Sequence, residues 1–295
     1  IVVKPSKPDN AEGIKSARDS AAMNYKSDFE SSYTGEMLII DGAVYTYNSG
    51  SPVMSRLFAQ MLNGYARKLA GHSRVFSCVA PLSSAFIPVE KYRYLHDRNK
   101  ATLDAIRDNM DGALFCDVLG EMTLKQNKRL FYGTDHHWNA LGAYCGYLAF
   151  CHTAGFTPVS LEQMEKKVRS RFLGSLYNLT QDPEVRAHPD TLEYFKPRIE
   201  SQMVKYPENS LSKPVASSVF CDRSYGYMTF ICGDAPLVRI TTNVKNGRRA
   251  AVVKNSMGNA FAVYLISHYE EIWVFDFRYS QHKMLDIIYD REIDD

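Results

Sequence analysis

Strand-like and helix-like segments alternate through the middle of this 295-residue chain, and that rhythm constrains the fold more than any other feature. Apolar residues at 54, 57, 58, 61, 62, 65 and 69 recur at helical spacing, so 54–69 reads as a helix with one face against a sheet. The run VFSCV at 75–79 follows as a strand. Residues 97–110 read as a helix with Leu103, Ile106 and Met110 inward, and 113–118 as another strand. Asn139 is the N-cap candidate for a helix reaching about residue 153. Such alternation predicts a parallel sheet covered by helices on both sides.

The flanks are less regular. Residues 11–27 predict one short helix, and 36–40, Asp41-Gly42 and 44–47 predict a hairpin. Residues 160–168 begin Ser-Leu-Glu-Gln in the manner of a capping box and predict a further helix. From 169 to about 223, Pro183, Pro189, Pro197, Pro207 and Pro214 punctuate a stretch of weak periodicity, read as an insertion or lid within a single domain spanning 1–295. Beyond it, 227–232 and 237–242 predict a hairpin around a Gly-Asp turn. A strand at 249–254, a helix at 261–268 and a strand at 271–277 complete the chain's regular elements.

Composition excludes some roles. Lysine plus arginine number 35 against 33 aspartates and glutamates, a formal charge of +2 with no basic block, so neither nucleic acid nor an anionic membrane surface is indicated as a partner. No apolar run approaches the ~20 residues that span a bilayer. The start at Ile1, without an initiator methionine, suggests a trimmed product whose leader or anchor lies upstream. Nineteen tyrosines suit either a carbohydrate-facing surface or a tyrosine-built core, with the core favoured. Six cysteines without C-x-x-C spacing give no zinc knuckle.

Chemistry concentrates in FYGTDHHWNALGAYCG at 131–146. An acid, two imidazoles and one of two tryptophans stand together just ahead of a helix, a poor way to build a core. If the segment is extended, Asp135 and His137 share one face while His136 and Trp138 share the other. A carboxylate that fixes an imidazole's tautomer lets the ring take a proton from a hydroxyl. That hydroxyl is offered by Ser256, where the strand RAAVVK runs into Asn255-Ser256-Met257-Gly258-Asn259 and then a helix, the arrangement that exposes a nucleophile at a strand end. A helix N-cap is the bland alternative for Ser256. Ser83 and Ser84 read as ordinary turn and cap residues.

The Thr-Asp-His-His-Trp-Asn-x-x-Gly-Ala-Tyr string together with the strand-borne Asn-Ser-Met-Gly-Asn-Ala-Phe resembles the bacterial DHHW family, itself similar to the SGNH-hydrolase-like proteins of alginate O-acetylation. The resemblance implies a three-layer α/β/α, flavodoxin-like, mostly parallel sheet with an irregular insertion. It places the acid on Asp135, the base on His137 and the nucleophile on Ser256, and sets Arg278 near the acyl or sugar site. Gly258 and Asn259 are offered as oxyanion donors and His136 as a hydrogen-bonded wall residue of the substrate site, while Trp138 suits either the floor of the sugar site or packing against the sheet, with packing favoured. Implied too are removal or transfer of an O-acetyl group on an extracytoplasmic glycan, no cofactor, an acyl donor and a membrane-bound acyl-transfer partner. Two other classes stand beside it: a non-catalytic glycan-binding or assembly protein, and a metal-assisted hydrolase using Asp135, His136 and His137 as ligands.

Overall fold

The computed structural model describes residues 2–3, 36–48 and 50–295, so the helix expected over 11–27 lies outside the described residues. Strands β1 (Val2–Val3), β2 (Glu36–Ile40) and β3 (Ala43–Tyr47) form a small antiparallel sheet in that order. The expected hairpin is present between β2 and β3. Asp41 and Gly42 both take positive φ, 49° and 71°, as the tight turn matched to strand twist requires.

Helix α1 (Pro52–Lys68) starts where the Ser51 hydroxyl accepts the Met54 N–H, with proline in its first turn. It packs on α2 (Arg93–Arg107) rather than on a sheet. The packed face is short and partly polar. Ala59 meets Leu103 and Ile106, while the Asn63 amide donates to Asn109 O at 2.8 Å and accepts the Asp111 N–H at 2.7 Å. The apolar face read from the sequence is consequently divided, and Val53, Met54, Leu57 and Met61 remain at least half exposed.

The mostly parallel flavodoxin-like sheet does not form. The strands expected at 75–79 and 113–118 shrink to β4 (Phe76–Ser77) and β5 (Leu114–Phe115), which among the described residues pair only with each other. Past β5, Asp117 accepts the Gly120 N–H at 2.9 Å and begins α3 (Val118–Thr123) where the strand was to continue. Helix α4 (Ala140–Ala154) forms as expected, capped by the Asn139 side chain on Gly142 N–H and stopped by Gly155 at φ 80°.

The helix expected over 160–168 lasts one 3₁₀ turn. Its capping box is present, but from Glu165 the chain is strand β6 (Glu165–Phe172), paired antiparallel with β7 (Asp190–Lys196). Between them lie the short helices α5 (Ser175–Thr180) and α6 (Pro183–Ala187). The main sheet comprises β8 (Ser201–Lys205), β9 (Val215–Ser217), β10 (Leu237–Thr242), β11 (Arg249–Lys254) and β12 (Glu271–Asp276), in the order β11-β12-β10-β8-β9. Residues 226–229 form a 3₁₀ turn, so the hairpin expected with β10 is absent, and β10 pairs with β8 and β12 instead.

Within this sheet only β11 and β12 run parallel. Parallel neighbours need a crossover, and a helical one is supplied between them by α7 (Gly258–Leu265). Strand β12 shows how the layers fill. Ile272 and Val274 join the main core with Tyr147 and Phe150 of α4 and Phe261 and Tyr264 of α7. Trp273 and Phe275, pointing the other way, pack with Ile287 and Ile288 of α8 (Met284–Asp290). Much of the tyrosine is interior: Tyr144, Tyr147, Tyr194, Tyr206, Tyr264 and Tyr269 are all buried.

Candidate active site

The 131–138 segment is a turn rather than a strand. Phe131 bridges Trp138, and Tyr132 N–H donates to His137 O at 3.2 Å, closing a loop around Asp135. The loop is held from outside by the buried Asp190 at the start of β7, whose carboxylate accepts the N–H groups of Gly133 (2.9 Å) and Thr134 (2.6 Å) and the Thr134 hydroxyl (2.6 Å). Thr134 Oγ1 accepts the Gly174 N–H, and its carbonyl accepts the Tyr177 N–H, both at 3.0 Å.

Inside the loop, Asp135 Oδ1 accepts the His137 backbone N–H at 3.0 Å, an Asx turn, and lies 2.6 Å from His137 Nδ1. The Asx turn, not strand alternation, puts acid and imidazole together. It also overturns the placing of His136 on the opposite face: the two imidazole centroids are 3.8 Å apart. His137 Nε2 is 2.8 Å from Ser256 Oγ, across 119 residues of sequence. An Nδ1–H donating to the carboxylate leaves Nε2 as the acceptor of the serine proton.

Burial alone would raise the Asp135 carboxyl, but the charge and hydrogen bonds of His137 outweigh it and hold the group well below the usual carboxylate range. Burial, then the neighbouring His137, push His136 down to about 3, with the Arg278 charge acting in the same direction.

Ser256 follows β11 directly and precedes α7. In the turn, Met257 N–H donates to Asn255 Oδ1, Gly258 N–H to Asn255 O and Asn259 N–H to Ser256 O, at 3.0–3.1 Å. The amides offered as oxyanion donors are thus engaged within the turn, and the Asn259 side chain donates to Asp234 at 2.8 Å. Trp138 is buried against Gly142 and Gly146, and its indole N–H donates to Met257 O at 2.9 Å, so it ties the serine turn to the histidine turn. Arg278 is half-buried and bonded to Asp234 (2.8 Å) and Asp276 (2.7 and 2.9 Å). Lys254, beside the same carboxylates, completes a quartet of two cations and two anions just ahead of the serine.

Three contributors were missed by sequence reasoning. Tyr227 stacks flat on His137, with centroids 3.6 Å apart and planes 5° from parallel, and its hydroxyl donates to Met257 O at 2.8 Å. Ser175 donates its N–H to Asp135 Oδ2 at 3.1 Å. Gly174 permits that approach, since a Cβ there would lie 2.3 Å from Asp135 Cβ. None belongs to a motif, and no local signal marks them.

Asp135, His136 and His137 also bring ligand-type atoms within 4.8 Å of one another, closer than adjacent residues of a strand would. His137 Nδ1 and Nε2 face Asp135 and Ser256, and His136 Nδ1 lies 2.7 Å from Ser175 Oγ, so an ion there would displace these hydrogen bonds.

Together these features define a mixed α/β protein with a Ser-His-Asp hydrogen-bonded chain at a strand-to-helix turn. The chain belongs to the DHHW protein family, which matches residues 6–275. It is similar to the crystal structure of a DHHW family protein from Eubacterium siraeum, with 28% identity, 88% of each chain covered and a TM-score of 0.77. Its fold is also that of Bacillus cereus PatB1, at 18% identity, covering 88% of this chain and 93% of that one, with a TM-score of 0.70. PatB1 with a sulfonyl adduct matches similarly, at 16% identity, 88% and 92% coverage and a TM-score of 0.69. No curated protein matches by sequence. Among the described residues no helix is long and apolar enough to cross a membrane.

Proposed function

We propose that this protein removes or transfers an O-acyl group, in the first place acetyl, on an extracytoplasmic glycan through an acyl-Ser256 intermediate. The observation that carries the reading is the unbroken Asp135–His137–Ser256 chain, at 2.6 and 2.8 Å. Ser256 Oγ attacks the acyl carbonyl carbon of the donor while its proton passes to His137 Nε2. Asp135, kept ionised, stabilises the imidazolium. The tetrahedral intermediate collapses, the bond to the donor's leaving oxygen breaks, and that oxygen takes the proton from His137. A glycan hydroxyl, or water, then gives its proton to His137 and attacks the acyl-serine; as the second tetrahedral intermediate collapses, the bond to Ser256 Oγ breaks and that oxygen takes the proton back from His137.

The glycan, the acyl donor and a membrane-bound transfer partner rest on the resemblance to alginate O-acetylation proteins, as does placement outside the cytoplasmic membrane. Arg278 stands within electrostatic reach of His136 and is proposed to face the acyl or sugar group. The test is acetyl trapping: after exposure to p-nitrophenyl acetate, intact-mass and peptide spectra should carry one acetyl group on Ser256, and Ser256→Ala should carry none. Unmodified wild type with retained polysaccharide binding would instead favour a non-catalytic binding role. Activity abolished by EDTA but not by Ser256→Ala would establish metal-assisted hydrolysis.

A further inference from the structure

Resting on that acyl-serine reading, we infer that Ser175 and His136 are positioning residues, a second arm that holds Asp135 through the carboxylate oxygen that His137 does not use. A carboxylate has two oxygens, and here they are divided between two tasks. Oδ1 takes the His137 backbone N–H at 3.0 Å and faces Nδ1 at 2.6 Å. Oδ2 takes the Ser175 N–H at 3.1 Å and its hydroxyl at 3.3 Å. The Ser175 hydroxyl is in turn 2.7 Å from His136 Nδ1.

Proton counting sets the direction of this arm. Ser175 Oγ has one proton, and an ionised carboxylate is the stronger acceptor because hydrogen bonds to a charged partner exceed neutral ones. With that proton on Asp135 Oδ2, the 2.7 Å contact requires His136 to donate from Nδ1. The donor role at Nδ1 holds the His136 ring in its Nδ1–H tautomer. The order is His136 Nδ1–H to Ser175 Oγ, Ser175 O–H to Asp135 Oδ2, and Asp135 Oδ1 to His137 Nδ1–H. The two histidines of the motif thus serve one carboxylate, one directly and one through a serine 39 residues away.

Such an arm fixes the carboxylate's rotation about its Cβ–Cγ bond and the share of its charge left for His137. It should act on the chemical step rather than on binding. Ser175→Ala and His136→Ala should each lower kcat for p-nitrophenyl acetate about tenfold, the loss of one hydrogen bond to a charged group, with KM within about twofold. The double variant should be no slower than either single one, because both break the same arm. Ser175→Thr, which keeps the hydroxyl, and His136→Asn, whose amide N–H sits where Nδ1–H sat, should recover most of kcat. Independently of turnover, the low-field ¹H resonance between His137 Nδ1 and Asp135 Oδ1 should move or broaden in the two alanine variants and persist in the Thr and Asn variants. Wild-type kcat and an unchanged resonance in Ser175→Ala would overturn the inference. So would His136→Asn behaving as His136→Ala with a raised KM, which would make His136 a substrate contact. If wild-type Ser256 is never acylated the acyl-serine reading fails, while the resonance still decides whether the arm exists.

Discussion

Two buried polar clusters flank the Ser256 turn, and they are built on opposite principles. On one side, Asp135 meets two backbone N–H groups, a hydroxyl and the His137 ring, the one donor among them that can take up and give back a proton. On the other, Asp234 and Asp276 meet Lys254 and Arg278, cations that keep their charge. Both Asp135 and Asp234 are opposed by burial and still held well below the usual carboxylate range. For Asp135 the cause is His137. For Asp234 it is Lys254, the Asn259 amide and Arg278. The same lowered carboxyl therefore has two meanings. The first cluster has the hydrogen bonds the proposed proton relay needs, and the second braces the turn from which the serine projects.

Breaking the relay should give the largest effect, and it should fall on rate. Asp135→Asn should reduce acyl transfer on the order of 10⁴-fold, because an amide holds the imidazole in the wrong tautomer, while the variant remains folded by circular dichroism. Breaking the brace should fall on stability. Lys254→Met leaves one carboxylate too many beside Asp276, which has no exposed surface, and should cost about 3–5 kcal/mol in denaturant unfolding. Equal rate loss without instability in Lys254→Met would erase the distinction between the clusters.

A third test uses acid. The folded pKa of His136 is about 3 against an ordinary 6.5, so below pH 6.5 the unfolded chain takes a proton that the folded chain refuses. This group's contribution to stability therefore falls as pH drops from 6.5 toward 3, by roughly 2–3 kcal/mol at pH 4.5. His136→Asn should lose correspondingly less between pH 7 and 4.5, and an unchanged slope would show that His136 is protonated in the folded protein. The smallest effect belongs to Tyr227→Phe. It keeps the stack on His137 but removes the hydroxyl from Met257 O, which Trp138 still serves, and should cost about 1 kcal/mol in thermal unfolding with kcat within a few-fold.

The contrast also explains what was legible in the chain. The three members of the hydrogen-bonded chain were readable because two lie in one short motif and the third stands at a strand-to-helix junction; β11 and β12 formed where their periodicity placed them, and α7 formed three residues earlier than expected. The motif's local geometry was missed although Asp135 is a turn-favouring residue, and the Asp190 carboxylate that holds the turn in place lies 56 or more residues further along the chain than the amides it accepts. Ser175 and Tyr227 come from stretches whose order derives from contacts to the motif rather than from spacing. Sheet direction failed for a related reason. Apolar runs announce strands but not partners, and β8 and β9, which make much of the main sheet antiparallel, lie inside the stretch of weakest periodicity.

The indole bond from Trp138 to Met257 O gives the molecule an optical property. Its two tryptophans sit in different packing environments, Trp138 at the seam between the histidine turn and the serine turn, Trp273 on the sheet face that meets α8. In Trp273→Phe the remaining indole would report by emission wavelength whether the seam has closed, and in Trp138→Phe whether the sheet has formed. Refolding followed in the two variants would then time the arrival of chain segments 119 residues apart against the sheet beneath them.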